Sequence, residues 1–398
     1  MKSIRLIDNV EDWVGGIPKG WNRVPLKRIA WKLNRPTRPD DPIVVCTNKG
    51  KAEYRGEKSP GLVSLTGNGY QGVLSEDLLI HGMDTWHGAI AVSDISGQCT
   101  SVVHVCDSNE NKRFLSYYLR ALSFRGVYKA FSNGVRQNTS DFRSWMKAGE
   151  IPVVLPSLEA QRRIANYLDE KCAQIDRAIE AAEESIEELL RYRSSCLEET
   201  FNRLDGTYPK VKLKYVLEES KEKSVDGIGE PLSITIASGV LRSSELEIPN
   251  PASSMVGAKV VRAGDLVFNK LKAYFGVMYV SPYDGLISSE YAIYRALNPD
   301  ALSLKYIEYL VHTNQIIDEF IIRISGVADG FRRLYTSDLF NISITLPPLR
   351  VQERAVRELN SLYDSVDASI AVKKSIIADL KAYKQSLIYE VVTGKRGV

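Results

Sequence analysis

Cysteine and histidine residues in the first half of the chain are the side chains best suited to hold a metal ion. Cys99, His104 and Cys106 lie close together in the sequence, and His81 and His87 precede them. Thiolate and imidazole groups are the ligands that zinc prefers. A related stretch later in the chain carries isoleucine, alanine and tyrosine where the first three of these residues stand. We therefore expect scaffold positions here and predict no metal site.

The residue combinations closest to catalytic motifs are incomplete. Gly394-Lys395 lacks the preceding glycine and the following serine or threonine of a phosphate-binding loop. The Asn-Pro-Pro-aromatic motif of an adenine methyltransferase does not occur in the sequence. Asp205 with Glu219 and Lys221 resembles a nuclease cluster only at the level of chance, because the chain is rich in Glu and Lys. We predict no catalytic residue, although an enzyme with a dispersed site stays open as an alternative.

The elements that must position any site are set by a duplication. Residues 155–199 and 346–390 align without a gap at a separation of 191 positions, and both open with Leu-Pro-x-Leu-x-x-Gln. Such repetition is the signature of a duplicated architecture. In both copies apolar residues recur every three or four positions, which predicts two long helices that pair as a coiled coil. We call these apolar positions the seam: Leu168, Ile175, Ile179, Ile186, Leu189, Leu359, Val366, Ile370, Ile377 and Leu380.

Charge and connectivity predict how the two helices pair. Residues 155–204 carry 7 basic and 11 acidic side chains, whereas residues 346–398 carry 9 and 6. An acidic helix beside a basic one favours the mixed pair, although each exposed contact contributes only about 0.3 kcal/mol. A helix of about 40 residues is about 60 Å long, so a parallel pair would force the intervening segment to bridge that distance. We therefore predict an antiparallel pair.

The duplication extends into the segments that precede the helices. Residues 21–29 match residues 208–216 at a shift of 187, and markers such as Asp77 and Gly97 recur 188 positions later. Both segments contain short β-like runs separated by Gly, Pro, Asn and Asp, and then a helix-like piece. We predict an α+β fold with two mixed α/β domains. An antiparallel two-helix coiled coil separates them, and the internal duplication gives pseudo-two-fold symmetry.

This plan divides the chain into four ranges. The first module, residues 1–154, precedes the first helix, residues 155–204; the second module, residues 205–345, precedes the second helix, residues 346–398. The first module has 21 basic and 15 acidic side chains, and the second has 15 and 17. The overall net charge of +3 is modest for a protein that binds a polyanion. Charge therefore neither favours nor excludes nucleic acid as a partner.

Composition points to an ordinary globular protein. The 398 residues are 25% charged and 44% hydrophobic. No run of the sequence approaches the length of a membrane span, and the first residues lack the apolar region of a signal peptide. The five cysteines are odd in number and follow no pattern, which suits reduced thiols. We expect a cytoplasmic protein.

The duplicated helix openings and the Glu-x-Val-Thr-Gly-Lys ending at residues 390–395 resemble the specificity subunits of type I restriction–modification enzymes. The resemblance covers the whole chain. It implies that each module is a target recognition domain reading one half of a split, asymmetric DNA sequence. It also implies that the helices act as a spacer and as the docking surface for two methyltransferase subunits, and that motor-nuclease subunits complete the assembly. S-adenosylmethionine, ATP and Mg would then belong to those partner subunits, and this chain would carry no cofactor.

Polar and aromatic side chains in loop-like stretches are the candidates for contact with double-stranded DNA. Arg and Lys suit guanine edges and phosphates, and Asn suits adenine. The candidates are Asn68, Tyr70, Trp86, His87, Arg136, Gln137, Asn138, Asn269, Lys270, Lys272, Tyr274, Arg332 and Arg333. A solvated turn explains any single cluster better than a DNA contact does, but across all the clusters we expect at least one on each module to contact DNA. A coiled-coil scaffold without DNA specificity, whose modules bind proteins, is the alternative function.

Overall fold

The structure is a computed structural model that describes residues 13–38, 40–56, 69–131, 142–246, 254–324 and 333–398. The chain divides into two compact units. The first comprises residues 1–183 and 374–398, and the second comprises residues 184–373. Each unit contains one whole module range together with a part of each long helix. The two units are therefore built from the same kinds of parts.

The first module and its long helix contain the following elements. The strands are β1 (Asn22–Pro25), β2 (Ala30–Lys32), β3 (Val44–Cys46), β4 (Ala52–Tyr54), β5 (Tyr70–Val73), β6 (Leu78–His81), β7 (Ile90–Val92), β8 (Gly97–Thr100), β9 (Val103–Ser108) and β10 (Pro152–Leu155). The helices are α1 (Lys112–Phe124), α2 (Val127–Phe131), α3 (Trp145–Ala148) and the long helix α4 (Leu158–Leu204).

The second module and its long helix follow in the same order. The strands are β11 (Lys210–Lys212), β12 (Leu217–Glu219), β13 (Leu232–Thr235), β14 (Gly239–Arg242), β15 (Lys259–Val261), β16 (Leu266–Phe268), β17 (Met278–Val280), β18 (Gly285–Ile287), β19 (Ala292–Ala296) and β20 (Ser343–Thr345). The helices are α5 (Leu304–Leu310), α6 (Asn314–Arg323), α7 (Thr336–Leu339) and the long helix α8 (Leu349–Val392).

The same sheet is built twice. An antiparallel sheet of order β2-β9-β6-β7 in the first module recurs as β12-β19-β16-β17 in the second. The two-stranded pairs β1–β10, β3–β4 and β5–β8 recur as β11–β20, β13–β14 and β15–β18. Even the registers agree, because Leu78 pairs with Cys106 and Leu266 pairs with Tyr294, a shift of 188 on both strands. The internal duplication and the α+β class predicted from the sequence are confirmed.

One shared glycine shows why backbone markers persist while other residues differ. A Cβ atom at Gly97 would lie 2.2 Å from the carbonyl oxygen of Pro42, and one at Gly285 would lie 2.4 Å from that of Glu230. Backbone atoms cannot move aside as a flexible side chain can, so neither strand has space for a larger residue. Close packing of a neighbouring segment therefore requires glycine at this position in both modules.

A buried aspartate occupies the same position in both modules, but a different arginine binds it in each. Arg35 donates hydrogen bonds to both carboxylate oxygens of Asp77, the longer of them 3.0 Å. Arg295 donates to the matching Asp265 at 2.8 and 2.9 Å. These two arginines come from different places in the module: Arg35 follows β2, whereas Arg295 lies in β19. A buried carboxylate is tolerated because a guanidinium binds it through two hydrogen bonds.

The two positions that supply these arginines have exchanged their charges. Gly72 donates to the carbonyl of Arg35, and Val260 donates in the same way to the carbonyl of Glu222, so Glu222 stands where the first module has Arg35. At the other position Asp107 stands where the second module has Arg295. Glu222 accepts a hydrogen bond from Arg295 at 3.4 Å. Each module thus has one basic and one acidic side chain around its buried aspartate, but the positions of the two charges are reversed between the modules.

The glutamine of the helix-opening motif is fully buried and ties each long helix to its module. The Oε1 atom of Gln161 accepts from the backbone N–H of Asn111, the residue that caps α1, at 3.0 Å, and its Nε2 donates to the carbonyl of the motif proline. Gln352 repeats this with the N–H of Ser303, which caps α5, at 2.9 Å. Loss of one partner of a buried hydrogen bond costs about 1–3 kcal/mol. The motif therefore fixes where each long helix begins against its own module.

Ion pairs within the first unit show the direction of the two long helices. Lys384 on α8 binds both carboxylate oxygens of Asp176 on α4, at 2.6 and 2.7 Å. Farther along α4, Glu183 pairs with Lys381 at 3.4 Å. Residue numbers rise on one helix as they fall on the other, so the helices run antiparallel there.

The second unit shows the same direction with its own residues. Arg193 on α4 pairs with Asp367 on α8 at 3.1 Å, and Arg203 pairs with Glu358 at 3.7 Å. Asp367 lies 191 positions after Asp176, and Lys384 lies 191 positions after Arg193. The ion pair of the first unit therefore recurs in the second with the two helices exchanged. The predicted antiparallel coiled coil is confirmed.

The seam is the apolar stripe along these helices. Its buried members are Leu168, Ile175, Ile179, Leu359, Val366, Ile370 and Ile377. Its half-buried members are Ile186, Leu189 and Leu380. Burial of one such side chain contributes about 2 kcal/mol, so the seam stabilises the pairing of α4 with α8.

Replacing both Ile179 and Ile370 by Asp should separate the helices. Each substitution loses about 2 kcal/mol of apolar burial and also buries a carboxylate. We expect the thermal unfolding midpoint to fall by more than 10 °C. Val372→Asp is the matched control, because Val372 is an exposed apolar residue of α8. This substitution should leave the midpoint almost unchanged. An unfolding midpoint equal to that of the control would mean that the seam is misassigned.

Candidate nucleic-acid interface

A short turn follows the same strand in both modules and carries several of the predicted contact residues. In the second module the turn at Lys270–Phe275 follows β16 and ends at Gly276, whose φ is +66°. In the first module the turn at Thr85–His87 follows β6 and ends at Gly88, whose φ is +79°. Only glycine adopts this left-handed backbone without strain. The chain therefore reverses at the same place in each module.

Different side chains hold the two turns. The Oδ1 atom of Asn269 accepts from the backbone N–H groups of Leu271 and Lys272 at 3.1 and 3.2 Å. His81 occupies the equivalent position, and its Nδ1 accepts from the N–H of Asp84 at 3.0 Å. Burial lowers the pKa of His81, while the nearby Asp84 carboxylate raises it. A lowered pKa suits this role because a ring nitrogen must be unprotonated to accept a hydrogen bond.

Two exposed rings stand side by side on the turn of the second module. Tyr274 is 39% exposed and Phe275 is 48% exposed, and their centroids are 4.3 Å apart. The Nζ atom of Lys272 lies 5.7 Å from the Phe275 centroid. Exposed rings next to a cation suit contact with duplex DNA, because a ring can pack on a thymine methyl group in the major groove while the cation binds a phosphate. This turn therefore has the chemistry of a platform that contacts base edges.

Phe275 was not among the residues predicted from the sequence. The alignment at a shift of 188 places Tyr274, Phe275 and Gly276 over Trp86, His87 and Gly88. In both modules two consecutive residues with ring side chains come directly before the left-handed glycine. This recurrence is the sequence signal that could have identified Phe275.

The predicted residues Lys270 and Arg333 are brought together in the second module. The carbonyl of Lys270 accepts from the N–H of Leu334 at 3.1 Å. Arg333 forms an ion pair with Glu290 at 2.9 Å. Burial lowers the pKa of Lys270, and the nearby Lys259 lowers it further. Of the two cations, Lys270 is the one without an ion pair among the described residues.

In the first module the described candidates lie on two different elements. Trp86 is half-buried and His87 is exposed, and both belong to the turn after β6. The Nζ atom of Lys129 lies 5.8 Å from the Trp86 centroid. Tyr70 opens β5, where it pairs with Thr100. Asn68, Arg136, Gln137, Asn138 and Arg332 lie outside the residues that the structure describes.

The cysteine and histidine residues near β9 have structural surroundings. The Nε2 atom of His104 is 2.6 Å from the carbonyl oxygen of Phe142, and its ring packs edge-on against Trp145. Burial raises the pKa of the Cys99 thiol to about 12 and raises that of Cys106 as well. Among the described residues no group of three or more His, Cys, Asp and Glu side chains is arranged to hold a metal ion. A search of the described helices finds none long and apolar enough to cross a membrane.

Two repeated α/β modules, each tied to an antiparallel coiled coil, are the architecture of the type I restriction specificity subunits. One solved chain, from a structure of complex assembly and conformational transition of a type I restriction–modification system, superposes with a TM-score of 0.72 at 19% identity and covers 96% of this chain and 100% of its own. The HsdS subunit of Thermoanaerobacter tengcongensis superposes with a TM-score of 0.54 at 20% identity and covers 96% and 98%. The chain has the fold of these proteins.

Sequence comparison gives a consistent result. The EcoKI specificity subunit of Escherichia coli K12 is 20% identical over 306 residues, which is 71% of this chain and 65% of the relative. The chain thus spans slightly less than two thirds of that relative's length. No family model matches the chain. The resemblance to type I specificity subunits that the helix motifs indicated is confirmed.

Removing both rings of the turn, with Tyr274→Ala and Phe275→Ala together, should weaken binding to duplex DNA by at least tenfold. The expected loss follows from contacts with base edges, each of which contributes about 1–3 kcal/mol. Fluorescence anisotropy with a labelled duplex checks this. Tyr215→Ala removes a more exposed ring of the same module, 66% exposed with Lys214 over it at 4.9 Å, and should have no effect. Equal affinities of the two variants would exclude the platform.

Proposed function

We propose that this protein is the DNA sequence-specificity subunit of a type I restriction–modification complex. The observation that carries the proposal is the double architecture: two modules with the same sheet order and register, each fixed by a buried glutamine to a shared antiparallel coiled coil. The similarity of fold to solved subunits over 96% of the chain supports it. Each module would read one half of a bipartite, asymmetric DNA site.

The differences between the modules support the proposal that they bind two different half-sites. The strands pair in the same register in both modules. The turn after the equivalent strand, however, carries Trp86 and His87 in one module and Tyr274 and Phe275 in the other. Side chains on a common scaffold decide which base edges are contacted. Each mismatched base pair costs about 1–3 kcal/mol, so two modules held together discriminate better than one.

The coiled coil would act as the spacer. Duplex DNA presents equivalent grooves about every 34 Å, so a reader of two half-sites must hold its modules at a fixed separation and rotation. The long helices have the features of a stiff connector, with an apolar seam and the recurring ion pairs Asp176–Lys384 and Asp367–Arg193. A flexible linker would lose this register.

Other subunits would supply the remaining chemistry. We propose that the helices also form the docking surface for two methyltransferase subunits and that motor-nuclease subunits join the same complex. S-adenosylmethionine, ATP and Mg would bind to those partners, and this chain would have no catalytic role. Because its substrate would be cellular DNA, we propose that it acts in the cytoplasm.

A coiled-coil scaffold that binds proteins is the second candidate, favoured by the modest net charge of +3. Selection from a random duplex library with the protein and its methyltransferase partner separates the two. Enrichment of a bipartite motif with a fixed gap supports the specificity subunit. Binding without selection, or no binding, favours the scaffold.

Deleting seven residues from each helix should shorten the gap of the recognised site. The deletions are placed in α4 between Asp176 and Arg193 and in α8 between Asp367 and Lys384, so both ion pairs survive. Seven helical residues span about 10 Å, which corresponds to about three base pairs at roughly 3.4 Å each. Library selection should return both half-sites unchanged with a shorter gap. The same deletion in α4 alone should disrupt the seam, and an unchanged gap in the double deletion contradicts the spacer role.

Replacing residues 1–154 by the first module of another specificity subunit should change only one half-site. The reason is that each module has its own core and its own glutamine contact to a long helix. The same library selection measures the outcome. If both halves of the recognised sequence change together, the modules do not read DNA independently.

A further inference from the structure

A cleft of about 820 Å³ lies in the first compact unit, between the first module and the parts of α4 and α8 that belong to that unit. A second hollow of about 340 Å³ shares Lys49, Lys51 and Arg120 with it. Ligand sites in proteins usually have volumes of about 300–1,000 Å³. The cleft is therefore large enough for a small molecule or for one group of a larger one.

The guanidinium of Arg120 is buried at this cleft and forms no ion pair among the described residues, although the Asp176 carboxylate is near enough to oppose the lowering of its pKa by burial. Arg120 is 8% exposed. Its Nε atom has no hydrogen-bond partner among the described residues, and its ring contact is with Phe124 at 5.7 Å. Burial lowers the pKa of Arg120, and neighbouring groups such as Tyr117 oppose that shift only in part. A buried charge without a partner costs several kcal/mol, so such groups are normally paired.

Acidic side chains on the helix side do not neutralise this guanidinium. Both carboxylate oxygens of Asp176 already accept hydrogen bonds from Lys384. Glu183 pairs with Lys381. Glu53 and Glu180 also line the cleft, and carboxylates of this kind can accept from hydroxyl or amino groups of a ligand. The positive centre at Arg120 therefore remains available.

Two lysines are held next to Arg120 by a tight turn. The N–H of Gly50 donates to the carbonyl of Thr47 at 3.0 Å. A Cβ atom at Gly50, where φ is +76°, would lie 2.3 Å from the guanidinium carbon of Arg120. The turn consequently packs directly on the arginine and places Lys49 and Lys51 on either side of that contact. Both lysines line the cleft and the smaller hollow.

The second module has a neutral group at the equivalent position. Counting from the residues that cap α1 and α5, Asn111 and Ser303, Arg120 corresponds to His312. The Nδ1 atom of His312 is 2.6 Å from the carbonyl oxygen of Glu308, and its Nε2 has no partner among the described residues. Burial lowers the pKa of this imidazole. A cation at this place is therefore a feature of the first module alone.

We propose that this cleft binds a phosphate group, with Arg120 as the anchor and Lys49 and Lys51 as flanking cations. A planar guanidinium fork and two ammonium groups match the several oxygens of a phosphate better than the two of a carboxylate. Trp86 and Phe124 line the same cleft and give a nucleoside ring surfaces on which to pack. The phosphate belongs either to a free mononucleotide or to the backbone of duplex DNA. The proposal does not depend on the proposed DNA specificity.

Titration of the full-length protein with inorganic phosphate, followed by calorimetry and thermal unfolding, tests the site. Arg120→Met should weaken phosphate binding by at least tenfold and remove the rise in melting temperature that phosphate gives the unchanged protein. Without phosphate this variant should melt at a higher temperature, because an unpaired buried charge has been replaced by an apolar chain of similar length. Arg113→Met, on the same helix but exposed and paired with Asp169, is the control and should bind phosphate normally.

The double variant Lys49→Gln and Lys51→Gln keeps the test informative if the core substitution impairs folding. These side chains are on a surface turn, so the fold should survive while phosphate affinity falls several-fold. Phosphate affinity that is equal in the unchanged protein and in both variants overturns the proposal, as does an unchanged protein that does not bind phosphate.

Competition identifies the source of the phosphate. Displacement of bound phosphate by AMP but not by a random duplex of 20 base pairs indicates a free mononucleotide. Displacement by the duplex indicates the DNA backbone. Failure of the DNA selection experiment would leave the AMP result intact, so the two proposals fail separately.

Discussion

The buried glutamine at the start of each long helix is the contact on which the rest of the architecture depends. Gln161 and Gln352 each satisfy the N-terminus of the module's own helix with one side-chain atom and the motif proline's carbonyl with another. Such a side chain cannot rotate without leaving buried groups unpaired, which costs about 1–3 kcal/mol for each group. The long helix therefore leaves the module in a fixed direction. A seam of apolar residues can then align α4 and α8, because their starting points are already set.

Equivalent positions in the two modules perform the same task with different chemistry. His81 and Asn269 both accept hydrogen bonds from the backbone of the turn that follows them, and the turn then presents different rings. What must be preserved is a lone pair at that position and a left-handed glycine at the end of the turn, not a residue type. Beneath this constant frame the exposed side chains are free to change. This explains how one fold can serve two different binding tasks.

Much of the fold could be predicted from the sequence because duplication makes each half a check on the other. The shifts of 187, 188 and 191 positions agree with the strand registers and with the helix ion pairs. Lys384 falls at a seam spacing in the sequence, and only the structure shows that it pairs with Asp176. The candidate interface was less predictable. The candidate residues there lie on exposed turns, whose sequence has no hydrophobic periodicity to reveal them. Arg120 lies on an otherwise apolar helix face, and the sequence does not show that this buried charge forms no ion pair.

The reversed charges around Asp77 and Asp265 limit how such a chain can be rearranged by recombination. A crossover inside a module would join the segment that carries Arg35 to the strand that carries Arg295, and two guanidinium groups would crowd one carboxylate. The reciprocal product would gather Glu222 and Asp107 around a buried aspartate with no cation. Both hybrids would be electrostatically unbalanced and would fold poorly. Recombination that yields a folded protein should therefore occur at the module borders, so that each sequence preference is exchanged together with its whole module.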